Sequence, residues 1–94
     1  MQFAKIVGTV VSTKKVEELN GFKLLICQVY NLEGKDLKPS NNFLVAADTV
    51  GAGANELVLL VSGSSARLTA QTKTKPLDLA VIGIIDGIDL LKGV

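Results

Sequence analysis

Two short runs constrain this chain more than anything else in it. Leu57-Val58-Leu59-Leu60-Val61 and Ala80-Val81-Ile82-Gly83-Ile84-Ile85 contain no polar side chain at all. Their brevity and their β-branched content read as strands. A strand sends alternate side chains to opposite faces. When both faces are apolar, both need a cover. Closing the sheet into a barrel hides one face of each strand. The other face still lies open, and at roughly 25 cal/mol per Å² of apolar area, leaving several such side chains wet forgoes several kcal/mol. A neighbouring subunit is the inferred cover.

The rest of the chain fits short strands between turn signals. Phe3 to Val11 alternates loosely and makes a first strand, with Gly8 marking a bend or close backbone approach. A charged stretch then ends at Asn20-Gly21, a hairpin-type turn signal. Phe22 to Tyr30 makes a second strand, Asn31 to Asp36 a turn, and Lys38-Pro39-Ser40-Asn41-Asn42 a loop. Phe43 to Asp48 and Glu56 to Val61 are further strands, separated by the glycine-rich Val50 to Asn55. Ser62 to Arg67 offers hydroxyls that cap one short helix over Ala66 to Ala70. Leu77 to Asp86 is the last long strand, and Ile88 to Leu91 adds an edge. The expectation is a mainly β fold, a single domain over residues 1–94: a small five- to six-stranded, mostly antiparallel barrel with one short helix.

Composition excludes more than it suggests. Ten basic and nine acidic residues leave a net charge of +1, so no global field attracts nucleic acid or an anionic membrane. The longest apolar stretches reach about seven residues, against the ~20 needed to span a bilayer. The opening MQFAKIVGTVVST lacks the charged lead-in of a secretory signal. Cys27, the one cysteine, sits in the run KLLICQVY and reads as a buried thiol in a reducing cytosol.

Chemistry finds little to work with. The chain has no histidine, which removes Ser-His-Asp and Cys-His nucleophile systems and histidine-bound zinc. Gly51-Ala52-Gly53 is followed by Glu56 where a dinucleotide fingerprint needs glycine, and a strand rather than a helix comes next. A tight turn is the reading for that loop. Asp48, Glu56, Asp78 and Asp86 lie at strand ends, where carboxylates cap turns more often than they catalyse. Neither a cofactor, a metal nor a catalytic residue is expected. The alternative from another class is a barrel that binds single-stranded nucleic acid, but such barrels stack bases on aromatics in a basic groove. Here the aromatics are Phe3, Phe22, Tyr30 and Phe43 alone. A small enzyme built on Asp48 or Asp78 is weaker still.

Two longer motifs carry a resemblance. VAADTVGAGANELVLLVSGSSAR at Val45 to Arg67, followed by PLDLAVIGIID at Pro76 to Asp86, is similar to the EutN/CcmL family of bacterial microcompartment vertex proteins. The opening AKIVGTVVSTKK and the KLLICQV strand extend the likeness over nearly the whole chain. The resemblance implies an OB-like barrel that assembles as a homo-pentamer, without catalysis, in a shell within the bacterial cytoplasm. Hexameric shell proteins would form the facets around it, because a sheet of hexagonal tiles cannot close without pentagonal defects. The motif positions carried onto this chain are Asp48, Gly51, Gly53, Glu56, Gly63, Ser64, Ser65, Ala66 and Arg67, expected to shape subunit contacts and tight turns. One departure is Asn55, where the family often has glycine; asparagine tolerates positive φ better than most residues, so the turn can survive.

Overall fold

In the computed structural model, which describes residues 1–11, 22–63 and 78–91, five strands close a barrel in the order β1-β2-β3-β5-β4. They are β1 (Gln2–Thr9), β2 (Lys23–Glu33), β3 (Asp36–Asp48), β4 (Leu57–Ser62) and β5 (Leu79–Ile84). Pairing is antiparallel except between β3 and β5, which run parallel and touch only at Ala47–Ala80 and Asp48–Val81. Pairing of β4 with β1 closes the circle.

The core follows from alternation. Ala4 and Ile6, Leu25 and Cys27, Ala46, Val58 and Leu60, and Val81 all turn inward and pack in one buried cluster. Large and small side chains share the lumen, which is how a narrow barrel fills its interior. Burying Ile6, Leu25 or Leu60 stabilises the fold by roughly 1.5–3 kcal/mol each. The opposite faces of β4 and β5 are apolar too, and Val61 with Ala80 forms a second buried cluster against Ile82. The two runs without polar side chains are therefore covered on one side by the barrel interior, and only in part on the other.

Irregularities have local causes. The β1–β2 register shifts between Ile6 and Gly8, so Val7 is thrown outward and exposed. A Cβ at Gly8 would sit 3.3 Å from Ile26 Cδ1, so the glycine marks a close approach between strands. A second shift near Gln28 and Tyr30 is clasped by side chains: Gln28 Nε2 donates to Ser40 O at 2.9 Å, and Ser40 Oγ donates to Val29 O at 2.7 Å.

Three expectations need correction. Lys38 to Asn42 is not a loop: it is part of β3, with Pro39 opposite Tyr30 and Lys38 opposite Asn31. Proline is tolerated because, among the described residues, β3 there is paired with β2 alone, so its missing N–H breaks no second ladder. The turn expected over Asn31 to Asp36 shrinks to Gly34-Lys35, since Leu32 already faces Leu37 and Gly34 takes φ +64. Ile88 to Leu91 forms no strand, and β5 ends at Ile84. The helix over Ala66 to Ala70 and the Asn20-Gly21 turn lie outside the described residues.

Candidate functional site

Among the described residues, side-chain-to-backbone hydrogen bonds concentrate in the connection from β3 to β4. Asp48 ends β3, and its carboxylate turns back on the chain that follows. Oδ1 accepts the N–H groups of Val50 and Gly51, both at 3.0 Å, and Oδ2 accepts that of Ala52 at 2.9 Å. A short ionised side chain reaching amides two to four positions ahead is what makes aspartate a turn former. Gly51 takes φ +76, which an L side chain rarely adopts. The reversal drives Ala52 to 2% exposure within the main core cluster, where its methyl plugs the barrel end.

The far half of the loop is closed by Glu56. Its Oε1 accepts the Gly53 N–H at 2.5 Å, and its own N–H donates to Gly53 O at 3.2 Å. A Cβ at position 53 would lie 3.2 Å from the same Oε1 atom, so a side chain there would press on the clasp. Asn55 takes φ +66, the conformation for which glycine is otherwise the natural choice. From that conformation its N–H donates to Ile6 O at 2.8 Å, while Ile6 N–H donates to Glu56 O at 3.0 Å. The loop is also tied to β5, because Thr49 donates to Val81 O through its Oγ1 at 2.6 Å and its N–H at 3.3 Å.

Asp48, Gly51, Gly53 and Glu56 are thus brought together in one loop, each with a defined part in its geometry. Gly63 lies at the other connection: it takes φ +61 after β4, and its N–H donates to Asp78 O at 2.9 Å. Ser64, Ser65, Ala66 and Arg67 lie outside the described residues. Sequence reasoning passed over Thr49 and Ala52. The signal for Thr49 was its position directly after a turn-forming aspartate, and the signal for Ala52 was a lone methyl between two glycines.

What this arrangement can do chemically is hold backbone amides. Both oxygens of Asp48 and Oε1 of Glu56 accept N–H groups of the loop, which places the two carboxylates as clamps. Among the described residues no three histidine, cysteine, aspartate or glutamate side chains are grouped so as to hold a metal ion. Cys27 is buried, and its thiol is pushed up to about 11, first by burial and then by the negative charge of Asp48. A thiol so protonated is a poor nucleophile at neutral pH.

The outer surface has a different character. Phe43 and Val45 on β3 are 54% and 49% exposed, and Val7 and Val10 at the end of β1 are open as well. A groove of about 460 Å³ runs between the β2–β3 hairpin tip and the segment after β5, with Leu32, Leu37, Leu57, Ile85, Ile88 and Leu90 among its walls.

Comparison with known proteins places this geometry. Residues 1–86 match the family described as ethanolamine utilisation protein EutN/carboxysome. The chain is 46% identical to a carboxysome shell vertex protein CcmL of Synechocystis, covering 99% of this chain and 90% of that protein. It is 45% identical to the bacterial microcompartment shell vertex protein PduN of Salmonella typhimurium, over 92% of this chain and 96% of the relative. The solved structure of GrpN, a pentameric microcompartment shell protein from Rhodospirillum rubrum, superposes with a TM-score of 0.81 at 44% identity, covering 97% of this chain and all of that one. An internally clamped barrel, with apolar surface left outside, is accordingly the form taken here by a family of shell proteins: the chain belongs to the EutN/CcmL family.

Proposed function

We propose that this protein is a structural subunit of a bacterial microcompartment shell, in which five copies form a ring that caps a vertex. The single observation that carries the reading is the near full-length match to shell vertex proteins, at 45–46% identity to CcmL and PduN relatives. The physical character of the chain agrees with it. The Asp48 and Glu56 carboxylates hold a loop, the thiol is buried, and apolar side chains remain on the outside of a closed barrel. The ring stands in the cytoplasm as part of the shell, with hexameric shell proteins on its rim. It is no enzyme and takes no cofactor.

In this reading the motif residues Asp48, Gly51, Gly53, Glu56 and Gly63 act by fixing loop shape, so that the surface presented to a neighbour is rigid before assembly. A head-to-tail ring needs two different patches on each copy, and rigid patches lower the ordering cost of association.

Native mass spectrometry at micromolar concentration tests the proposal. The expected particle is five times the 9.9 kDa chain mass, and a stable monomer would sink the ring. Titration with single-stranded oligonucleotides at physiological salt separates the alternative: a shell subunit leaves them free, whereas salt-dependent binding would favour a nucleic-acid role.

A further inference from the structure

The joints that hold the barrel are unequal. Among the described residues β2 and β3 pair from Lys23–Asp48 to Glu33–Asp36, and β1 and β2 from Phe3–Tyr30 to Thr9–Leu25. β1 and β4 pair from Gln2–Leu60 to Lys5–Leu57, and β4 and β5 from Val58–Ile84 to Ser62–Leu79. Among the same residues the β3–β5 joint has two pairs, Ala47–Ala80 and Asp48–Val81, and it alone is parallel. Parallel bonds are slanted and slightly weaker per residue. The side chains add little. Ala47 and Ala80 are buried, but each brings a single methyl, and Val81 is the seam's one larger apolar group.

One residue reinforces this seam. Thr49, directly after β3, donates to Val81 O through Oγ1 at 2.6 Å and through its N–H at 3.3 Å. The rest of the barrel does not depend on that carbonyl. With β3 and β5 parted, the strands still form one antiparallel sheet in the order β3-β2-β1-β4-β5. The bonds from Ile6 N–H to Glu56 O and from Ile85 N–H to Leu57 O stay within that sheet. What the parting uncovers is the lumen, where Cys27 shares one buried cluster with Val81 and Ala46. Proteins open locally in cooperative units, and they do so where burial is least and bonds are fewest.

We propose that the folded subunit opens along the β3–β5 seam, with the Thr49 hydroxyl as its latch. A small thiol reagent reaches Cys27 by this route, without global unfolding. The device belongs to the single chain and does not rest on the ring.

Alkylation of Cys27 by iodoacetamide, followed by intact mass and compared with the rate for the chain unfolded in urea, measures the opening. All samples are held at one protein concentration. Below the unfolding transition the native labelling rate should rise only weakly with urea, because a seam exposes little surface. Thr49→Val keeps the shape, loses the hydroxyl and should speed labelling about tenfold. Thr49→Ser should stay near the native rate. Ser40→Ala is the reciprocal control. It removes the bond from Ser40 Oγ to Val29 O, a β3–β2 contact that survives when the seam parts. It should lower the urea midpoint and leave labelling unchanged. Labelling that climbs with urea as steeply as global unfolding overturns the opening. A shallow climb with Thr49→Val at the native rate puts the opening elsewhere and overturns the seam. Amide exchange in the native protein gives a reading that needs no variant. Corrected for intrinsic rates, the Thr49 N–H should exchange about tenfold or more faster than the Ile6 N–H, and equal protection overturns the proposal.

Discussion

The β3–β4 loop and the outer edge of β3 begin within a few residues of each other, and they are built on opposite terms. In the loop, three successive amides reach Asp48, the Gly53 amide reaches Glu56, and the Asn55 amide reaches Ile6. Along the edge, eleven residues of β3 have no second ladder among the described residues, and Phe43 and Val45 are about half exposed. The first region completes itself inside one chain. The second keeps one ladder, to β2, among the described residues. Substitutions in the loop should therefore act first on folding, and substitutions along the edge first on association.

The strongest challenge to that division comes from the barrel interior, which serves both regions. Leu60 is fully buried, so Leu60→Ala should cost about 2–5 kcal/mol in chemical denaturation. Assembly should fall only in step with the unfolded fraction. A variant that stays folded but no longer assembles would mean that the core transmits to the interface directly.

Asp48→Ala sharpens the comparison from the loop side. It removes the acceptor of three N–H groups, one of them on core-plugging Ala52. The expected loss is about 2–3 kcal/mol, with Asp48→Asn smaller because one acceptor oxygen survives. Gly51→Ala, at φ +76 with open space around it, should cost about 1–2 kcal/mol through backbone conformation alone. Asn55→Gly should be neutral or slightly stabilising, because the position already holds φ +66. Urea midpoints order these variants. Equal costs for the alanine and asparagine variants of Asp48 would contradict the clamp.

On the edge the expected signs reverse. Val45→Thr should change barrel stability by less than about 0.5 kcal/mol, since the side chain is about half exposed in the single chain. Its effect should appear in the concentration dependence of assembly. A large loss of stability in dilute monomer would show that β3 already has an intrachain cover at this point.

How much of this could be read from sequence depended on whether a residue's role was local. The barrel was legible because alternation and turn chemistry act over a few residues: Val58 and Leu60 inward, Gly34 and Gly51 at reversals. The Asp48-to-Glu56 turn was legible as a turn, and Asn55 as a residue able to hold positive φ. Pro39 misled because proline's usual meaning is a break, whereas its cost depends on whether the strand has a second neighbour. That is a fact about topology, which no local window contains. Ile88 to Leu91 misled in the converse way. Its pattern is that of a strand, but a strand also needs a partner, and among the described residues the segment joins no ladder after Ile85 donates to Leu57 O. Thr49 was missed because the carbonyl it serves, Val81 O, is 32 residues away.

The remaining effect, absent at neutral pH, probes the closed region most directly. The Cys27 thiol lies inside the barrel and is pushed up to about 11 from an ordinary 9.0, by burial first and by Asp48 second. In the unfolded chain the thiol ionises as pH passes 9, while in the folded chain it stays neutral until about 11. The unfolded state alone gains from ionisation in that window. Cys27 therefore contributes no pH dependence below pH 9, and stability is lost between pH 9 and 11. Urea titrations across that range should show a steeper fall for the native sequence than for Cys27→Ala, whose lower starting stability does not affect the slope. Asp48→Asn removes the second cause and should narrow the window slightly from its upper end. Parallel slopes for native and Cys27→Ala proteins would mean that solvent reaches the lumen. The contrast between a sealed barrel and an open edge would then have to be redrawn.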